Sequence, residues 1–147
     1  MKSVTRLAFS GPIREWHICC WTEDVQAISS ILVIDDDGAA LETISHVLSA
    51  LGVADVCEVT SAERALKILR ARQFDLIIAD YRLGGMDGVE FLERLRAAGN
   101  QTPLLLLSGA PDKAGVIRAT NQPKVDFFGK PFRVAELVGA MNKLVCA

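Results

Sequence analysis

The sequence has no excess of one charge, no long apolar run and no cysteine pattern, and each absence closes off a class of function. Sixteen Lys and Arg stand against eighteen Asp and Glu, a formal net charge of -2. That balance argues against a nucleic-acid binder held by a broad basic face, because affinity for phosphates grows with the number of basic contacts. No apolar run exceeds four residues, as in Leu104 to Leu107, whereas a membrane-spanning helix needs roughly 20. Cys19, Cys20, Cys57 and Cys146 lack C-x-x-C spacing, and His17 and His46 are the only histidines. Neither a zinc site nor a disulfide scaffold is expected from them. A secretory signal is not expected either, since Arg14, Glu15 and His17 fall where its continuous apolar core would run. The expectation is a reduced, cytoplasmic protein with no membrane association.

What is present suits one ordinary domain: 147 residues, half of them apolar and 23% charged, enough to bury a sizeable core. Residues 1–30 stand apart. They hold both tryptophans and a Gly11-Pro12 turn, their periodicity is poor, and their three basic residues match three acidic ones. Trp16 and Cys20 would share one helical face, and Trp21, Val25 and Ile28 another.

From Ile31 onward, short apolar runs alternate with amphipathic stretches. Ile31–Ile34, Leu76–Ala79 and Leu104–Leu107 read as strands buried on both faces. Val53 to Val59 is β-prone but carries Asp55 and Glu58, as an edge strand would, and Val125 to Phe128 is a fifth, short strand. Helical stripes lie between them. The first is Leu41, Ile44, Leu48 and Leu51, closed by Gly52. The second is Ala62, Ala65, Leu66 and Leu69, introduced by a Thr60–Glu63 capping box. The third is Val89, Leu92 and Leu95, capped by Asp87 and Glu90 and closed by Gly99. Residues 111–121 suit a short helix around Val116 and Ile117, and Phe132 to Val145 a last one. Strands joined by helical crossovers imply a parallel sheet with helices on both faces. The expected fold is an open doubly wound α/β domain.

The chemistry-bearing residues fall at one edge. Asp35 and Asp36 follow the first strand, Asp80 the third, Ser108 the fourth and Lys130 the fifth, and open α/β sheets bind ligands at the carboxyl ends of their strands. Singly, each has a plain reading as cap, turn residue or solvated charge. Together they are poorly explained by capping. Three converging carboxylates repel, by roughly 4 kcal/mol for two like charges about 4 Å apart at an effective dielectric near 20, so they imply a cation or raised pKa values. Hard carboxylate oxygens suit Mg²⁺. Asp37, outside the pair, reads as a helix cap.

Over about residues 31–145 the sequence resembles the receiver domain of two-component response regulators, the CheY-like superfamily. The resemblance rests on Asp35-Asp36, Asp80, Met86-Asp87-Gly88, Ser108-Gly109 and Lys130-Pro131-Phe132. It implies a flavodoxin-like sheet of strand order 2-1-3-4-5, with five flanking helices, and a division into an extension over 1–30 and a receiver over 31–147. It also implies that Asp80 accepts a phosphoryl group from a histidine kinase or histidine phosphotransfer protein. Mg²⁺ would be held by Asp36, Asp80 and the Arg82 carbonyl, with Asp35 acting through a metal-bound water. Ser108 and Lys130 would contact the phosphoryl oxygens, Phe127 would turn inward as a switch, and the Lys130-Pro131 peptide would be cis. The reaction is self-modification, so the resemblance implies no enzyme turning over a free substrate.

Some departures shape the expectation. Phe127 lacks the hydroxyl of the tyrosine frequent at that position. Gly84 replaces a common proline, so its loop is expected to be looser, and Gly109-Ala110-Pro111 leaves the output face unread. With the chain ending at Ala147, the sequence suggests a stand-alone receiver that docks on a downstream protein effector without binding nucleic acid directly. A homodimer is compatible with it. The alternatives are a degenerate receiver that binds partners without phosphorylation, and a phosphatase of the haloacid dehalogenase type. The latter needs a second acid where Arg82 stands.

Overall fold

The computed structural model describes residues 28–109 and 113–146. The expectations for residues 1–27 and for Ala110 and Pro111 lie outside that range, as does the terminal Ala147. Five strands form one parallel sheet: β1 (Ser30–Ile34), β2 (Asp55–Val59), β3 (Leu76–Asp80), β4 (Leu104–Ser108) and β5 (Val125–Gly129). Their order is β2-β1-β3-β4-β5. Five helices connect or follow them: α1 (Gly38–Ala50), α2 (Ala62–Ala71), α3 (Gly88–Ala97), α4 (Lys113–Thr120) and α5 (Val134–Cys146). This is the fold expected from the alternation of runs and stripes.

The continuous apolar runs exist because both faces of the sheet are covered. Leu32, Ile34, Ile77, Ala79, Leu104 and Leu106 point into a cluster under α2, α3 and α4. Ile31, Val33, Leu76, Ile78, Leu105 and Leu107 point the other way, under α1 and α5. Each such leucine, isoleucine or valine removed from water contributes about 1.5–3 kcal/mol. β2 is an edge, and its residues are exposed or half-buried up to the buried Val59, as Asp55 and Glu58 led one to expect.

Helix boundaries differ from the sequence pattern in two places. The cap of α2 is Ser61 rather than Thr60. The Ser61 hydroxyl accepts from the Arg64 N–H, so no acidic residue stands at the reciprocal position and the capping box is not formed. The last helix starts at Val134 rather than Phe132, because Glu136 Oε1 accepts from the Arg133 N–H at 2.8 Å and marks the helix entry there. The Asp37 and Asp87 caps are as read: their carboxylates accept from the N–H groups of Ala39 and Glu90 at 3.0 and 2.7 Å. Asp37 thus has the structural role expected of it.

A polar fastening holds the opposite edge of the sheet. Asp75 Oδ2 accepts from the Ser29 and Ser30 backbone N–H groups, at 2.9 and 3.1 Å, and from the Ser29 hydroxyl at 2.9 Å. Desolvation, the largest single influence on this carboxyl, pushes its pKa up, but the serine hydrogen bonds together bring it below its ordinary value of 3.8. A lowered native pKa stabilises the fold above the unfolded-chain value, and that contribution is lost as pH falls through the native one. Asp75→Asn should therefore cost about 1 kcal/mol at pH 7, a modest figure for hydrogen bonds to a partly exposed charge. In urea titrations the gap from the parent should close under acid conditions, and a gap independent of pH would contradict this account.

Candidate functional site

The strand ends deliver the expected cluster. Asp35 follows β1, Asp80 ends β3, and carboxylate oxygens of Asp35, Asp36 and Asp80 all lie within 4.8 Å of one another. The three differ in exposure: Asp35 is buried, Asp80 half-buried and Asp36 exposed. Asp35 is held by its own loop, its Oδ1 accepting from the Asp37 N–H at 3.0 Å. Burial pushes the Asp35 carboxyl above its ordinary value of 3.8. That hydrogen bond works against the rise, the charge of Asp80 adds to it, Lys130 offsets part of it, and Asp36 adds a further increment.

Lys130 reaches the cluster from the loop after β5. Its Nζ lies 3.1 Å from Asp80 Oδ1 and 3.6 Å from Asp35 Oδ2, so one ammonium serves two carboxylates. The loop is set by the Lys130 N–H donating to the Ser108 carbonyl at 2.7 Å, and by a cis Lys130-Pro131 peptide, as the resemblance implied. Ser108 is buried at the end of β4, paired with Gly129 and one position beyond Leu107, the register partner of Asp80. Asp80, Asp35, Asp36, Ser108 and Lys130 therefore gather at one edge.

The loop from β3 to α3 closes the site. Arg82 and Asp87 form an antiparallel bridge, and Leu83 and Met86 are buried, so both ends of the loop are fastened. Gly84-Gly85 lie between these fastened ends. Gly84 has φ +78°, which the proline ring forbids, and a side chain added there would point toward Asp36 Oδ2. Gly88 is required for space: a Cβ on it would stand 2.6 Å from a Leu106 methyl and 3.1 Å from the Asp80 carbonyl oxygen. The Gly88 N–H donates to the Tyr81 carbonyl at 2.6 Å. The third helix thus starts against the backbone of Asp80.

Phe127 is half-buried on β5, with its ring 5.8 Å from that of Tyr81. The sequence reading did not single out Tyr81. The signal was available, since it is the only tyrosine and directly follows Asp80.

This arrangement has known counterparts. The family model for the response regulator receiver domain matches residues 31–142. The chain belongs to that family. Response regulator protein TodT of Pseudomonas putida is 34% identical over 114 residues, covering 78% of this chain and 50% of TodT. Transcriptional regulatory protein FixJ of Bradyrhizobium diazoefficiens is 30% identical over 115 residues, covering 78% of this chain and 56% of FixJ. The chain thus spans about half the length of these curated relatives. Among solved structures, the signal receiver domain of an HD domain-containing protein from Pseudomonas fluorescens Pf-5 is 28% identical with a TM-score of 0.72, over 80% of this chain and 87% of that one. The receiver domain of Francisella response regulator 1452 matches at 26% identity and a TM-score of 0.72, over 80% and 97% of the two chains. No helix among the described residues is long and apolar enough to cross a membrane.

Receiver domains generally bind Mg²⁺ in an acidic pocket, and the residues here fit that ion. The donors are hard carboxylate oxygens within reach of a single cation, and the buried Asp35 carboxyl is raised in part by its acidic neighbours. A ligand that binds only the native state stabilises it by about 2.7 kcal/mol at a hundredfold excess over its Kd. Saturating Mg²⁺ should therefore raise Tm by on the order of 10 °C in this domain. In thermal melts, Asp36→Ala should lose most of that rise, and an equal rise in the variant would place the ion elsewhere.

Proposed function

We propose that this receiver is phosphorylated on Asp80 and that phosphorylation controls the docking of a protein partner. The observation that carries the proposal is the convergence of Asp80 with Asp35, Asp36 and the Lys130 ammonium at the carboxyl edge of the sheet. In this reading a carboxylate oxygen of Asp80 attacks the phosphorus of a phosphohistidine on a histidine kinase or histidine phosphotransfer protein. A P–O bond forms as the P–N bond breaks, and the imidazole leaves with the electron pair. Lys130 exchanges its contact with Asp80 for one with a phosphoryl oxygen, and the Ser108 hydroxyl donates to another. Asp36, Asp80 and the Arg82 carbonyl would hold Mg²⁺, with Asp35 behind them, and the ion would supply positive charge at the transferring group.

The product adds a charge of about -1.5 to -2 beside Ser108 and Lys130, and both are drawn toward it. Phe127 is the proposed switch residue, and its packing against Tyr81 supports a shared movement of the two rings. The domain performs only its own phosphorylation and dephosphorylation. It works in the cytoplasm, where a histidine-phosphorylated donor protein would meet it. We assign residues 31–147 to the receiver and 1–30 to an extension. The stand-alone form of the output is checked by the size of the native polypeptide in its source cells. A product much larger than 15.9 kDa would mean docking onto an attached domain instead of in trans.

Incubation with acetyl phosphate and Mg²⁺, read by intact mass, tests the acceptor. The parent should gain one phosphoryl group, Asp80→Asn none, and Lys130→Ala much less at equal time. An unmodified parent, with its fold intact, would favour the degenerate receiver that binds partners without phosphorylation.

A further inference from the structure

We propose that the trough between α2 and α3 docks an acidic segment of a partner protein, one that carries aliphatic side chains. Two adjoining cavities of about 470 Å³ each make the trough, and they share Leu69, Arg70, Gly99 and Asn100. One lies between the helices over Leu66, Leu69 and Leu95, with Arg94 and Ala98 on the α3 side. The other continues past the end of α2, beside Arg72 and Phe74, to Gln101 and Thr102.

The sign of the occupant follows from the charges. Three arginines, Arg70, Arg72 and Arg94, line the trough, and among the described residues no acidic one does. Arg72 is committed elsewhere, pairing with Asp55 and lying 4.3 Å from the centre of the Phe74 ring. Arg94 reaches back to Glu90 at 2.9 Å, an exposed pair of the kind that contributes little and exchanges readily. Arg70 is exposed and pairs with no acidic side chain among the described residues, and neither do Lys67 and Arg64, which continue its stripe up α2 at three-residue spacing. Arg70 and Arg94 complement the negative carboxyl ends of their helices. That role leaves the cations further up α2 unexplained. The acids of this side stand apart from the trough, Glu63 near Gly85 and Glu93 on Arg118.

The rest of the lining selects among anionic partners. Aliphatic side chains floor the trough, and Phe74, the one aromatic residue lining it, is 6% exposed and covered by Arg72. Bases of a nucleic acid therefore find no stacking platform. The leucines lie in a concavity, Leu69 and Leu95 buried in it, where a lipid surface cannot reach them, whereas a peptide can lay its own apolar side chains into such a groove. The far wall is preformed: Asn100 Oδ1 accepts from the Thr102 N–H and hydroxyl at 2.9 and 2.6 Å, and Arg96 donates to the Asn100 carbonyl at 2.9 Å. A fixed wall lowers the ordering cost of binding.

The proposal goes beyond the phosphoacceptor reading, and its test uses unphosphorylated protein. A short labelled peptide of glutamate and leucine is titrated with the full chain by fluorescence anisotropy, and the site is located by amide shifts in NMR. Anisotropy should rise, with shifts confined to residues 66–74 and 94–102, while a lysine–leucine peptide should not bind and a glutamate–serine peptide should bind several-fold more weakly. Charge reversal at both Arg70→Glu and Arg94→Glu should weaken binding about tenfold or more. Lys143→Glu, the same charge change on α5 across the sheet, should leave it within about twofold. If the double variant does not fold, as judged by circular dichroism, Arg70→Gln with Arg94→Gln replaces it. No binding, shifts located elsewhere, or equal binding by the double variant would overturn the proposal. Tighter binding of a single-stranded oligonucleotide or of anionic phospholipid vesicles than of the peptide would overturn it too, in favour of that partner.

Discussion

The constraint on which the rest depends is electrostatic: three carboxylates are held within 4.8 Å of one another, with a single ammonium among the described residues bridging two of them. Left to themselves, such groups would move apart, because unlike a surface pair they gain nothing from closeness. They stay together because each is attached to a strand end or the turn after it, and the strands are locked by burial on both faces. The stability of the apolar sheet holds a destabilising arrangement of charges in place. A bound cation or a transferred phosphoryl group then acts on a preformed site.

Each part of the surrounding structure serves that placement. The loop after β1 turns on the Asp35 and Asp37 side chains, which accept backbone N–H groups two residues on. The helix after β3 presses its first glycine against the Asp80 carbonyl. The loop after β5 carries Lys130 back to the Ser108 carbonyl. The other edge of the sheet is quiet by comparison, with the Asp75 carboxylate stitched to the serines that begin β1.

Much of this was legible in the sequence because the signals were redundant. Four apolar residues in a row, ended by a polar group, mark a buried strand whatever the neighbours do. That pattern located β1, β3 and β4 together with the residues at their carboxyl ends. Other features depended on choices that the pattern leaves open. Thr60 and Ser61 are both competent caps, and only the backbone path selects Ser61. Phe132 is apolar and opens the amphipathic stretch, yet Glu136 accepts from the Arg133 N–H and the helix starts at Val134. The contact of Tyr81 with Phe127 joins the residue after β3 to β5, far apart in sequence, and no local spacing encodes it.

Diffraction from a crystal soaked in Mn²⁺, a hard divalent cation with usable anomalous scattering, tests the central claim most directly. The account predicts one anomalous peak bonded by carboxylate oxygens of Asp36 and Asp80, with the strand ends unmoved. A soaked crystal with no peak at the cluster, or with the three carboxylates splayed apart into solvent, would contradict it.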